Sequence, residues 1–169
     1  MKEITLSDGQ TVLVDDSDYD RMSESKWYPK FKKRRDGSIK TVYARRNVYV
    51  NGKRTNQTMH RAILNILDPG VQIDHKDGNG LNCQKHNLRL ATNEQNCRNQ
   101  NKPINNTSGF KGVSWHKQRQ KWVAYIKSNY RRIHLGVFED RAEAAAAYDV
   151  AAIRLHGEFA CLNLKLGKR

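Results

Sequence analysis

Cysteine is nearly absent: the 169 residues hold three, Cys83, Cys97 and Cys161, and no two of them stand in a C-x-x-C pair. A disulfide framework is thereby excluded, and an intracellular protein is expected. No structural zinc is expected either, because such sites take four ligands, usually in closely spaced pairs. Long apolar runs are missing, as is a charged stretch followed by an apolar core near the N-terminus, so neither a membrane span nor a secretion signal is expected. Acidic side chains are scarce: 17 Asp and Glu against 31 Lys and Arg leave a net charge of +14. A polyanion is the natural partner of such a chain, and a membrane is not.

The charge is spread unevenly. Residues 1–25 hold seven acidic side chains and two basic ones, Lys2 and Arg21, whereas residues 26–57 hold eleven basic side chains against Asp36 alone. Within the basic stretch, Lys30 to Arg35 precedes an Asp36-Gly37 turn, and Val42 to Val50 runs into Asn51-Gly52, a strong hairpin signal. Side chains alternate along a strand, so Val42, Ala44, Val48 and Val50 are expected on a core face and Tyr43, Arg45, Asn47 and Tyr49 on the other. A two-stranded ribbon fits a groove of duplex DNA. Lys32, Lys33, Arg34, Arg35, Arg45, Lys53 and Arg54 are its candidate phosphate contacts, and a merely solvated basic face is the competing reading.

The middle of the chain carries the most chemistry. Val71 to Asp74 reads as extended, Gly78 and Gly80 mark a loop, and Leu88 to Ala91 is extended again. Thr92-Asn93-Glu94-Gln95 fits a capping box, so a helix is expected from about Asn93. An earlier apolar helix is expected over His60 to Leu67, with His60 a structural histidine and with Ile63, Leu64, Ile66, Leu67 and Leu88 packing the unit together. Asp74, His75, Asn87 and Asn96 supply what phosphodiester hydrolysis needs. His75 has the ordinary pKa of a base working near neutrality. The Asp74 carboxylate and the Asn96 amide are hard oxygen ligands suited to one Mg²⁺ or Mn²⁺ per site. Asn87, on the second strand, is placed to steady the loop or the imidazole. Asp74 and His75 point oppositely on a regular strand, so they converge only if the strand ends there. Asp77 and Asn79 read either as supporting groups or as the polar residues a tight loop requires.

Asp74-His75 with Asn79, Asn87-Leu88-Arg89 and Asn96 resembles the HNH, or ββα-metal, motif of phage and intron-encoded homing endonucleases, with Asn in place of the final His. The resemblance runs from Met59 to Asn101. It implies a metal-dependent DNA endonuclease with His75 as general base, Asp74 and Asn96 as metal ligands and Asn87 as an orienting residue. The corresponding location is the cytoplasm of a bacterial host or phage-infected cell.

After Asn99 the chain turns Asn-rich around Pro103 and loses apolar periodicity, as linkers do. Phe110 to Trp115, Lys121 to Ser128 and Arg132 to Val137 then read as strands. Asp140 with Glu143 signals a helix over Ala142 to Leu155, and Gly157 lies just past its end. Ser108-Gly109-Phe110-Lys111-Gly112-Val113, Lys121 to Ile126, Leu135 to Phe138, Ala144 to Asp149 and Leu162-Asn163 resemble the AP2 DNA-binding domain, whose sheet lies in the major groove. The resemblance implies Lys111, Ser114, Tyr125, Lys127, Arg132 and His134 as groove-facing residues, with Trp115, Lys117, Arg119 and Lys121 in or near the first turn. Several family arginines are Lys, Ser or His here, which reduces bidentate readout of guanine.

The expected fold is α+β in four stretches: a basic β-rich region over 1–57, an HNH nuclease unit over 58–101, a linker over 102–109, and over 110–169 an AP2-like domain of three antiparallel strands on one helix. Two functions of different class compete: an endonuclease acting on double-stranded DNA, or a non-catalytic sequence-specific regulator with a relic nuclease module. The survival of Asp74, His75 and Asn96 favours the enzyme. One site per chain suits a monomer and leaves a dimer open.

Overall fold

The computed structural model describes residues 1–100, 102, 103 and 105–164. Asn101 at the end of the expected nuclease unit, Ile104 within the expected linker, and residues 165–169 of the expected C-terminal domain lie outside the described residues. The chain is α+β and divides into two units, Met1–Asn93 and Glu94–Arg169. No described helix is long and apolar enough to cross a membrane.

The first unit opens with an antiparallel pair, β1 (Lys2–Thr5) and β2 (Thr11–Val14), followed by α1 (Asp16–Ser23). A three-stranded antiparallel sheet comes next, β3 (Tyr28–Lys33), β4 (Ile39–Val50) and β5 (Lys53–Thr58), with β4 in the middle. Its turns are those the sequence announces. Gly37 sits at φ +83°, and Asn51 and Gly52 take φ +50° and +74°, the pair of positive values that a tight hairpin turn needs and that Asn-Gly accepts. The short helix α2 (Met59–Ile63) leads into a ribbon of β6 (Gln72–His75) and β7 (Leu88–Ala91).

One apolar core joins the first hairpin, α1, β4, α2 and the ribbon. Ile4, Leu6, Val12 and Val14 from the first hairpin meet Met22 and Trp27, Ala44 of β4, Met59, Ala62 and Ile63 around α2, and Cys83 and Leu88 beside the ribbon. Trp27 is fully buried and donates its indole N–H to the Met22 carbonyl at 2.7 Å, so its polar atom is satisfied. Of the four β4 residues expected on a core face, Ala44 alone is in the core, and Val50 is exposed. The physical reason is length: the twelve-residue strand runs past the core into a projecting hairpin with β5. The expected helix from His60 to Leu67 also stops early, at Ile63. Asn65 turns left-handed at φ +53°, and Arg21 collects the released carbonyls of Ala62 and Ile63 at 2.9 and 3.3 Å. Leu67, expected to pack, is exposed.

In the second unit α3 (Asn93–Arg98), which begins at the division, precedes β8 (Val113–His116), β9 (Lys121–Ser128) and β10 (Arg131–Phe138). These form an antiparallel sheet in the order β10-β9-β8, backed by α4 (Arg141–His156). Asp140 caps α4 by accepting from the amides of Ala142 and Glu143. Ala144, Ala145, Ala151 and Ala152 are buried on the sheet, and their small size is what allows helix and strands to approach closely.

Candidate active site

Asp74 and His75 are the last two residues of β6, and each is 5% exposed. Opposite them in register stand Arg89 and Leu88 of β7. That register brings the Arg89 guanidinium onto the Asp74 carboxylate, with Nε and Nη2 donating to Oδ2 at 2.9 and 2.7 Å. The pair is nearly inaccessible to water, so its attraction is little screened. The strand stops at His75, where the chain bends into the loop through a bond from the Gly78 amide to the His75 carbonyl at 2.9 Å.

Asn87 is the latch of that loop. Its side-chain amide donates to Asp77 Oδ1 at 3.0 Å and to the Asn82 carbonyl at 2.9 Å, and its side-chain oxygen accepts the Asp77 amide at 3.1 Å. Asp77 in turn accepts from the Asn79 amide and from the Asn82 side chain, both at 2.8 Å. The loop carries an acidic residue to tie its own polar groups together, and Asn87 closes the network across its base.

The acidic N-terminal stretch braces the same loop. Leu13 of β2 exchanges backbone bonds with Leu81 and Cys83 at 2.9 and 2.8 Å. Asp15 stands at the start of α1 yet makes no side-chain cap there; its carboxylate accepts the Lys85 amide at 2.8 Å and the Gln84 side chain at 3.3 Å. Buried Asp18 pairs with Lys85 at 2.7 Å and Arg21 at 3.0 Å. Three charges thus hold α1, α2 and the loop to one another.

His75 packs against two other rings. Its centroid is 5.7 Å from that of Tyr43 and 5.1 Å from that of His60, and Tyr43 and His60 are 5.6 Å apart. Burial lowers the His75 pKa below the ordinary histidine value, against the pull of the Asp77 and Asp74 charges, so the ring is neutral and able to accept a proton at neutral pH. Burial pushes His60 down to about 3, which keeps it neutral throughout the physiological range. Tyr43 is raised, first by burial and then by the Asp74 charge. Asn96 lies on α3, in the second unit. Among the described residues no three His, Cys, Asp or Glu side chains gather closely enough to hold a metal by themselves.

The candidate DNA contacts fall on two sheets. Lys32, Lys33, Arg34 and Arg35 are exposed at the β3–β4 turn, where Arg34 also donates to the Ile39 carbonyl at 2.6 Å. Arg45 and Arg54 help to line a hollow of about 500 Å³ with Tyr28, Asn47, Thr55 and Asn56, and Arg45 donates to Asn56 at 3.0 Å. Lys53 is exposed at the hairpin tip. In the second unit, register places Lys127 opposite Arg132 and Tyr125 opposite His134 on the sheet face away from α4, with Ser114 and Lys121 on the same face. Arg132 lies 3.6 Å over the Tyr125 ring, and the His134 ring is 5.2 Å from it. Lys117 and Arg119 are exposed in the β8–β9 turn, and Lys121 pairs with Glu139 at 2.6 Å. Two residues depart from the rest. Trp115 pairs with Trp122 on the helix side, ring to ring at 5.0 Å, and Lys111 turns inward to donate to the carbonyls of Arg98 and Gln100, both at 2.6 Å.

Sequence reasoning passes over Arg89 and Tyr43 as site residues, leaves Asp77 open between a supporting group and a loop residue, and sees His60 only as structural. Arg89 left a signal: two strands closed by one loop put the residue two after Asn87 opposite Asp74. Tyr43 left none, since nothing local ties a β4 residue to β6.

Comparison with known proteins places these elements in families. Residues 67–98 match the family model described as HNH endonuclease, and residues 108–158 match that of the AP2 domain. Protein 3.8 of Escherichia phage T7 is 41% identical over 94 residues, covering 56% of this chain and 77% of that protein. The AP2/ERF and B3 domain-containing transcription factor At1g51120 of Arabidopsis thaliana is 50% identical over 52 residues, 31% of this chain and 14% of its own length. A solved structure, "DNA binding and cleavage by the HNH homing endonuclease I-HmuI", aligns with 92% of this chain and 91% of its own at 20% identity and a TM-score of 0.31.

Proposed function

Because this chain belongs to the family of phage T7 Protein 3.8 and is an HNH endonuclease that carries an AP2 domain, we propose that it hydrolyses a phosphodiester bond of duplex DNA with His75 as general base. The observation that carries the proposal is the placement of His75: neutral, ring-packed and following Asp74 at the point where β6 gives way to a loop latched by Asn87. A neutral imidazole accepts the proton of an attacking water. Asn87 orients by holding the loop whose first residue follows the base.

The chemistry of the residue types supports a hard divalent cation as the partner. Asp74 offers a buried carboxylate and Asn96 an amide oxygen, both within the segment that matches the HNH model, and these are the atoms Mg²⁺ or Mn²⁺ prefers. Such an ion, when bound, neutralises charge on the scissile phosphate and the leaving oxygen. The chain's own part is to hold the Asp74 carboxylate in place, which the Arg89 pair does, and to keep the His75 ring neutral and packed in position.

The open faces of β3-β4-β5 and β8-β9-β10 are proposed as the DNA-holding surfaces. Lys32 to Arg35, Arg45, Lys53 and Arg54 meet phosphates, while Tyr125, Lys127, Arg132 and His134 enter a groove. Binding then weakens steeply with salt as counterions are released. A sequence-specific regulator without catalysis is the other reading the AP2 domain supports. Supercoiled plasmid carrying the natural target, with Mg²⁺, separates them: the wild type nicks or linearises it, His75→Ala cuts the rate to a small remainder, and chelator abolishes the product. Cleavage by purified His75→Ala at the wild-type rate rejects the mechanism, and no cleavage of target DNA that is tightly bound favours the regulator.

A further inference from the structure

β4 reaches the candidate site through Tyr43. Its ring is 5.7 Å from His75 and 5.6 Å from His60, and the two imidazoles stand edge to face at 88° with centroids 5.1 Å apart. Each ring touches the other two, so the triangle is closed. The backing of each ring is separate. His60 is held on α2 through the contact of its Nε2 with the Thr58 hydroxyl at 3.0 Å. Tyr43 is held from behind by the loop itself: a Cβ on Gly80 would lie 2.7 Å from Tyr43 Cδ1 and 2.3 Å from the Val42 carbonyl oxygen. Only glycine lets the loop backbone lie flush against β4 there. Tyr43 also shares the strand face of Arg45 and Asn47, so the strand proposed to hold phosphates carries the support of the base as well.

We propose that Tyr43, backed by His60, is a positioning residue for His75: the closed triangle of rings fixes the plane of the imidazole that takes the proton from water. The inference rests on the reading of His75 as base. Aromatic contacts of this kind favour edge-to-face geometry and resist rotation of a ring within them. A base free to swing by about 1 Å loses on the order of 100-fold in rate.

The test uses the full chain and its target plasmid with Mg²⁺, comparing Tyr43→Leu, Tyr43→Phe, His75→Ala and the double variant Tyr43→Leu/His75→Ala. The metal-free protein is examined beside them by NMR of the His75 ring. Tyr43→Leu is expected to lower kcat by about 10- to 100-fold with KM unchanged, and to shift the His75 ring resonances as the ring current of Tyr43 disappears. Tyr43→Phe, which keeps the ring, recovers most of the rate. The double variant is no slower than His75→Ala alone, because support has no effect once the base is gone. Where Tyr43→Leu fails to fold by circular dichroism, His60→Gln carries the same readings. Full kcat in Tyr43→Leu, a loss confined to KM, or a double variant slower than His75→Ala by the single variant's factor overturns the inference alone. A His75→Ala protein with full activity overturns the base assignment and the inference with it.

Discussion

Replacing Arg89 by Met strands the Asp74 carboxylate in a nearly water-free place. The two side chains are 8% and 6% exposed, and two charge-assisted bonds of 2.9 and 2.7 Å join them. Removing one partner of a buried ion pair costs about 3–5 kcal/mol, because the remaining charge keeps its desolvation and loses its compensation. The first unit, Met1–Asn93, is small, and in a domain of that size each 1 kcal/mol moves the melting midpoint by roughly 4–8 °C. Arg89→Met is therefore expected to melt at least about 10 °C lower in the absence of metal. Urea unfolding followed by Trp27 fluorescence, in a Trp115→Phe/Trp122→Phe background, reads that unit alone. Adding Asp74→Asn recovers much of the loss, since the stranded charge is then gone. Mg²⁺ narrows the gap for the single variant, because a bound cation supplies the balance the arginine gave. An Arg89→Met protein within about 1 kcal/mol of the wild type refutes the reasoning, for Asp74 is then not held by that charge.

Three further outcomes are expected. The folded chain keeps His60 neutral down to about pH 3 while the unfolded chain protonates it near 6.5, so its contribution is fully present above 6.5 and is lost as pH falls toward 3, by up to about 1.4 kcal/mol per pH unit; urea midpoints of His60→Gln, taken at neutral and mildly acid pH, fall less steeply than those of the wild type. Asp15→Ala removes the acceptor of the Lys85 amide and costs about 1–2 kcal/mol, and hydrogen exchange at that amide accelerates. Gly112→Ala puts a Cβ 2.2 Å from Tyr148 and 2.5 Å from the Tyr125 carbonyl oxygen on a backbone at φ +75°, and it destabilises the second unit by roughly 3 kcal/mol or more, read from Trp122 fluorescence on unfolding.

What was legible in the sequence is what local chemistry decides. Asn51-Gly52 and Asp36-Gly37 announce hairpins, Asp140 announces a helix start, and the run from Val71 to Asn93 announces β, loop, β and helix, all found where expected. The second unit is legible for the same reason, since each of its strands is bounded by turn residues. What was not legible depends on packing between distant segments. The seven acidic residues of the first twenty-five look like a charge imbalance in sequence, yet Asp15 and Asp18 hold the loop before Asn87. Tyr43 alternates with Val42 and Ala44 on β4, which places it on the ribbon's DNA-contacting face by pattern; the loop at Gly80 covers it. The apolar run after His60 predicts a helix to Leu67, whereas Arg21, some forty residues earlier, takes the carbonyls that end it at Ile63.

The bonds from Asp15 to Gln84 and Lys85 span 69 and 70 residues of chain. During synthesis the grip leaves the ribosome long before what it grips. At about 5–20 residues per second the wait is roughly 4–14 s, during which β1, β2 and α1 have no loop to hold. The loop that carries Asp77 and closes on Asn87 therefore gains this brace only once residues 84 and 85 have been made.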